Sequence, residues 1–302
     1  MTESAPLPWR YRLADPMLRA YRLARRSGLV APPGGFRILL FHDVSPSCRE
    51  SFRRFAETIV ADHGVLTPVE AEAWLAGAAR PERTGRAPCL FSFDDGFESN
   101  FAVAQDILAP LGIEALFFVN PGLLDLDGEA QTRGIAATIF DGRVAPEDLP
   151  DDLRLMTWDR IAALREMGHT IGAHGMTHRR LSSLAGEVLE GEILESGDRL
   201  EARLGVPCPW FAYAFGDIGS ISRTALGIVA GRYRFCRSGV RGVNDATTSP
   251  LALRADMIDL EAPDAYRRLT VEGGLDGRYG DARAHLDQIC RPQPVALDDD
   301  LR

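Results

Sequence analysis

The sequence predicts an α/β fold in which a parallel sheet is covered by helices. Two observations carry this expectation. From Phe36 onward, short apolar runs alternate with stretches of helical periodicity, and repeated strand–helix units imply parallel strands joined by crossover helices. The chain has 302 residues, 45% hydrophobic and 25% charged. These are ordinary values for a globular protein, and the length suits one α/β barrel of about 250 residues with terminal extensions. Closed as a barrel, such a sheet has its working face at the C-terminal ends of the strands.

Residues 1–35 read as an N-terminal extension. Asp15-Pro16 marks a helix start with Pro16 at the first helical position. Arg19, Arg22, Arg25 and Arg26 then interleave with Met17, Leu18, Tyr21 and Leu23, and Ala31-Pro32-Pro33-Gly34-Gly35 breaks the pattern. The small apolar face favours a helix packed on the main domain with its arginines in solvent; peripheral membrane contact through this basic helix is the other reading.

Residues 36–290 form the barrel domain in this reading. Strands are expected at Arg37–Phe41, Cys89–Phe93, Ala115–Val119, Thr170–Ala173, Trp210–Phe215 and Tyr233–Cys236. Helices are expected at Pro68–Ala76, Ala102–Leu111, Trp158–Met167, Leu184–Leu204 and Ser222–Ala230. Thr67 and Glu70 form a capping box for the first of these helices. Residues 121–155 are rich in Asp, Gly and Pro without periodicity, which reads as a long loop forming a substrate-binding rim. Residues 291–302, with Asp298-Asp299-Asp300, read as a solvated tail.

Composition narrows the function. The net charge of −9 argues against general nucleic-acid binding, which needs a basic face. All 34 basic residues are arginine, and no function is drawn from that. Five cysteines at long spacings make neither a disulfide framework nor a cysteine zinc site. Trp9, Arg10, Tyr11 and Arg12 stand where a signal peptide would need an apolar run, and no segment approaches a spanning helix. The expectation is a cytoplasmic protein, with membrane association through the basic helix as the alternative.

Two stretches carry chemistry. In Phe91-Ser92-Phe93-Asp94-Asp95-Gly96, two acids directly follow an apolar strand. Buried unpaired carboxylates are costly, and a divalent cation removes that cost. Adjacent side chains on a strand point opposite ways, so joint use of both acids needs the turn that Gly96 permits. Capping of a helix beginning near Ser99 is the competing role. In His174-Gly175-Met176-Thr177-His178, two histidines lie four apart after a short strand. Gly175 favours a loop over a helix, and no Glu follows the first His as in zinc-protease helices. Together, two imidazoles and a carboxylate can hold a cation while leaving positions open. Non-haem iron oxygenases use the same set, but the free neighbouring carboxylate favours hydrolysis, since a divalent cation lowers the pKa of bound water to about 7 and a base can then take its proton.

Phe93-Asp94-Asp95-Gly96, His174-Gly175-Met176-Thr177-His178 and Phe211-Ala212-Tyr213-Ala214-Phe215-Gly216 resemble the first three motifs of the polysaccharide deacetylase family, carbohydrate esterase family four, whose unit is the NodB-homology domain. The resemblance covers roughly residues 36–260. It implies a deformed (β/α) barrel, Asp94 as catalytic base, and Asp95, His174 and His178 as ligands of a divalent metal, usually Zn2+. It also implies a backbone N–H near Phe215 that stabilises the oxyanion, with Tyr213 as a further oxyanion or substrate-binding residue. The third motif departs from the usual pattern: Ala212 replaces the arginine that orients the base, as in the Phe-Ala-Tyr-x-Phe/Tyr-Gly branch. Arg254 is the candidate substitute. The general acid is expected to be His42, at the end of the strand Arg37–Phe41, as in the branch with rearranged motif order; His285 is the alternative. Asp43 either orients His42 or caps a turn.

The expected activity is removal of an N-acyl group, usually N-acetyl, from an amino sugar in a glycan or glycan precursor. The alternatives are hydrolysis of another amide or ester (a formamide, a cyclic amide or an O-acetyl group) and glycan binding at a degenerate site.

Overall fold

In a computed structural model, which describes residues 8–31, 34–78 and 86–291, the chain builds one sheet of seven short strands. They are β1 (Arg37–Phe41), β2 (Cys89–Phe93), β3 (Ala115–Val119), β4 (Thr170–Ala173), β5 (Trp210–Ala212), β6 (Phe235–Arg237) and β7 (Ala255–Met257). Their order is β6-β5-β4-β3-β2-β1-β7, and every pairing is parallel. The segment before β7 bridges back to β6, pairing Arg237 with Leu253, so the ring nearly closes on itself. The result is the (β/α) barrel that the repeated strand–helix units imply.

Apart from half-buried Thr170 in β4 and exposed Met257 in β7, the strand residues are buried on both faces, which explains why β1 to β6 read as apolar runs. Alternation still sorts their side chains. Ile38, Leu40, Leu90, Leu116, Phe118, Trp210 and Phe235 fill the barrel interior with Phe36 and Trp74. Leu39, Phe41, Phe91, Phe93, Phe117 and Ile171 face the surrounding helices in a second, larger cluster. The helix Pro68–Leu75 starts at Thr67 with the expected capping box.

Several elements differ from expectation. The strands β5 and β6 run Trp210–Ala212 and Phe235–Arg237, so the first is shorter than expected and the second reaches one residue further. The helix expected from Ala102 begins at Glu98, and the long helix expected from Leu184 begins at Gly186. Residues 121–155 contain helical segments at Pro121–Leu124, Gly128–Gly134 and Ile135–Ile139. Helices at Arg49–Asp62, Asp264–Val271 and Gly280–Ile289, and strand β7, were not anticipated.

The N-terminal helix spans Ala14–Arg26, so Pro16 is its third residue. Its buried Ala14 and Leu18 face the barrel, and Leu18 packs with Leu269 and Leu275. No helix among the described residues is long and apolar enough to cross a membrane. Pro32, Pro33 and the tail 292–302 lie outside the described residues.

Candidate metal centre and cleft

The site lies at the C-terminal ends of the strands, at the floor of a cleft of about 630 Å³. Strand alternation places much of it. Asp94 continues the inward face of β2 after Leu90 and Ser92, and Arg237 continues that of β6 after Phe235. By the same parity, Asp95 should point outward. It does not, because its backbone enters the left-handed region at φ 71 and Gly96 follows at φ 78. Both acids thereby reach the cleft. Neither caps the next helix, whose N-cap is Phe97 without a side-chain cap. Three of the four described non-glycine residues with positive φ belong to this site: Asp95, His178 (φ 61) and Phe215 (φ 66). Such backbone is costly and is held only by surrounding structure.

His174 and His178 leave β4 in a loop. His174 Nδ1 contacts the Ala212 carbonyl at 2.8 Å, and His178 Nδ1 contacts that of Thr138 at 3.1 Å. Donation from Nδ1 to a carbonyl fixes the tautomer and leaves each Nε2 with a lone pair. Both Nε2 atoms face Asp95 Oδ1, at 3.5 Å from His174 and 3.3 Å from His178. Asp95 Oδ1 is buried and has no hydrogen-bond partner among the described residues. Burial pushes the Asp95 carboxyl up to about 7 and lowers His174 to about 3, the directions expected when charged groups lack a compensating ion. One atom from each of the three residues falls within 4.8 Å of the others. An unsatisfied carboxylate oxygen between two imidazole lone pairs fits a divalent cation with open coordination positions.

The loop is held by residues that sequence reasoning did not single out. Asn120, just after β3, donates to the His174 and Gly175 carbonyls. Buried Glu192 accepts from the Thr177 and Arg179 N–H groups at 2.8 and 3.1 Å and from Thr177 Oγ1 at 2.8 Å. Gly175 has φ 79, and a Cβ there would stand 2.7 Å from Glu192 Oε1, so this carboxylate can approach only a glycine.

Asp94 is nearly inaccessible at 3%. Burial alone would raise its pKa, but Arg237 overcomes that and the carboxyl lies below its usual value. Arg237 Nη2 reaches both carboxylate oxygens, at 2.6 Å to Oδ1 and 2.5 Å to Oδ2. Arg254 is therefore not the partner of Asp94. It lies before β7, turned to Asp287 at 2.8 Å and to the Val243 carbonyl, because Arg237 already occupies the interior position beside the acid.

His42 follows β1 with inward parity and lines the cleft, whereas His285 sits exposed on the helix Gly280–Ile289. Asp43 accepts from Ser99 Oγ at 2.6 Å. Phe215 lines the cleft between His178, 4.7 Å away ring to ring, and the Arg180 guanidinium at 4.3 Å. Among the described residues its N–H has no acceptor. Tyr213 is placed differently from expectation. It is buried under the loop with its hydroxyl donated to the Gly216 carbonyl, so it braces the turn that presents Phe215 and does not line the cleft. Ile139, Phe140 and Arg143 bring the 121–155 segment to the opposite wall.

Fold and site together define a (β/α) barrel with an acid and imidazole cluster at its C-terminal face. Residues 82–229 match the model of the polysaccharide deacetylase family. Among solved structures, it resembles the deacetylase PplD of Streptococcus pyogenes in complex with acetate: 19% identity, 80% of this chain and 99% of that one, TM-score 0.61. IcaB from Ammonifex degensii is 18% identical over 80% of this chain and 98% of its own, TM-score 0.59. The BpsB deacetylase domain from Bordetella bronchiseptica is 18% identical over 76% and 98%, TM-score 0.59. At these identities the likeness is one of fold, a NodB-type (β/α) barrel. Comparison with curated proteins found no match.

Proposed function

We propose that this chain is a divalent-metal-dependent hydrolase that removes an N-acyl group, N-acetyl first among them, from an amino sugar in a glycan or glycan precursor, and that residues 36–290 are its catalytic domain. The observation that carries the reading is the orphaned Asp95 Oδ1 between the His174 and His178 Nε2 atoms, with Asp94 held beside it by Arg237.

Asp95, His174 and His178 would hold the cation, with Zn2+ the first candidate for this donor set. When bound, the cation supplies Lewis acidity toward water and the acyl carbonyl. The chain's own groups do the rest. Asp94 accepts a proton from the attacking water, and Arg237 keeps that carboxylate ionised and aimed. The Phe215 N–H donates to the developing oxyanion. His42 gives a proton to the leaving amine as the C–N bond breaks. A C–O bond forms, and the products are a carboxylate and an amine.

The test is release of acetate from N-acetylated amino sugars, run beside O-acetyl, formamide and cyclic-amide substrates, with and without chelator. Asp94→Asn should reduce turnover by at least roughly 10²-fold while the protein still binds metal. His42→Asn should lower kcat and His285→Asn should not. Near wild-type turnover by Asp94→Asn would remove it as the base.

A further inference from the structure

Seven large hydrophobic side chains are exposed among the described residues, and four of them fall between residues 9 and 29: Trp9 at 66%, Leu13 at 47%, Leu23 at 68% and Leu29 at 84%. The clustering has a geometric basis. Trp9–Arg12 and Ala14–Arg26 are helical, and Leu13 between them keeps right-handed dihedrals. At 3.6 residues per turn, Trp9, Leu13, Pro16, Ala20 and Leu23 fall within about 80° of arc. Ala14 and Leu18, on the other side, are buried against the barrel. The helix thus has one apolar stripe used in packing and a second turned outward.

Charge is arranged around the outward stripe. Arg12, Arg19 and Arg26 recur every seven residues, which sets all three along one edge of it, and all three are exposed. Residues 8–31 hold six arginines against a single aspartate, in a chain whose net charge is −9. The helix is also firmly seated. Tyr11 donates to Asp259, Tyr21 donates to the Glu272 carbonyl at 2.8 Å, and Arg22 Nε donates to the Glu272 carboxylate at 3.0 Å.

We propose that this face docks the protein on an anionic bilayer surface, with Trp9, Leu13 and Leu23 entering the headgroup region and Arg12, Arg19 and Arg26 meeting lipid phosphates. An amphipathic helix with an apolar row and a basic flank binds membranes through both terms. A second copy of the chain is a poor occupant, because an antiparallel isologous contact through this row would bring the two basic edges to the same side. Outside residues 8–31 the chain carries a net negative charge, which the same membrane repels, and this favours approach through the basic face.

The full chain is sedimented with vesicles of phosphatidylcholine, with and without phosphatidylglycerol, at low and high salt. Binding should require phosphatidylglycerol and fall with salt. Arg12→Glu/Arg19→Glu/Arg26→Glu should weaken it roughly a hundredfold. Trp9→Ser/Leu23→Ser should weaken it without changing the melting temperature, which separates loss of contact from loss of fold. Equal binding to neutral and anionic vesicles, absence of binding to either, or a dimer in solution that Leu23→Ser abolishes would each overturn the proposal.

Discussion

Arg237→Met removes the guanidinium that holds Asp94 and puts an unbranched apolar side chain in its place. Both partners are almost fully enclosed, with side-chain exposures of 1% and 4%. The substitution therefore leaves a carboxylate buried without its counter-charge, and removing one member of such a pair costs about 3–5 kcal/mol. An exposed pair would cost only about 0–1 kcal/mol. The same change frees the Asp94 carboxylate to rotate and favours its protonated form, so turnover should fall by more than tenfold, approaching the roughly 10²–10⁴ of complete base loss. Urea unfolding gives the first quantity and kcat/KM for acetate release the second. Two further variants locate the effect. Adding Asp94→Asn to Arg237→Met should restore most of the lost stability, because no buried charge is then left unpaired, but none of the activity. Arg254→Ala breaks the partly exposed pair with Asp287 and should leave turnover unchanged. If Arg237→Met stays within about 1 kcal/mol of wild type and keeps its turnover, the charge balance assigned to this pair is wrong.

Three other outcomes follow from the same contacts. Glu192→Ala leaves the Thr177 and Arg179 N–H groups without their carboxylate, at about 1–3 kcal/mol for each group left unsatisfied; metal titration should show weaker binding although no proposed ligand has changed. Stripping the cation with a chelator should abolish acetate release and lower the melting temperature, since a ligand at a hundredfold excess over its Kd stabilises by about 2.7 kcal/mol, and adding Zn2+ back should restore both. Burial tends to raise the Glu272 carboxyl, but Arg22 and Arg86 outweigh it and hold it below its usual 4.5. Its contribution to stability is present above that usual value and is lost as pH falls through the depressed folded-state pKa. Amide exchange in residues 14–26 should therefore quicken on acidification, and Glu272→Gln should flatten that dependence.

Strands β1 to β4 were legible to the residue because each is a short apolar run buried on both faces. Strand β7 was not, because its central residue is Asp256. That acid is tolerated only because Arg37, far away in sequence, meets it at 2.6 Å. The helix Arg49–Asp62 did leave a signal, with Phe52, Phe55, Ala56 and Ile59 buried at helical spacing. The Asp94, Asp95, His174 and His178 cluster was legible as two motifs; that the two meet is a property of the ring. Arg237 escaped notice because the strand was expected to end at Cys236. One more residue would have put an arginine at a strand end beside Asp94. Asn120 and Glu192 carry no local pattern, since their partners belong to a loop elsewhere in the chain.

The closing of the ring has a consequence for how such chains can be ordered. Strand β1, which leads into His42, pairs with β2 on one side and with β7 on the other. In space it is therefore as much the successor of the last strand as the predecessor of the second. A proton donor carried on an early strand and one carried on a late strand would reach the same cleft across the same seam. Linear motif order is thus a record of where the circle was cut. A circular permutant that moves the β1 unit behind β7 should reassemble the cluster of Asp94, Asp95, His174 and His178 with His42 still at its edge.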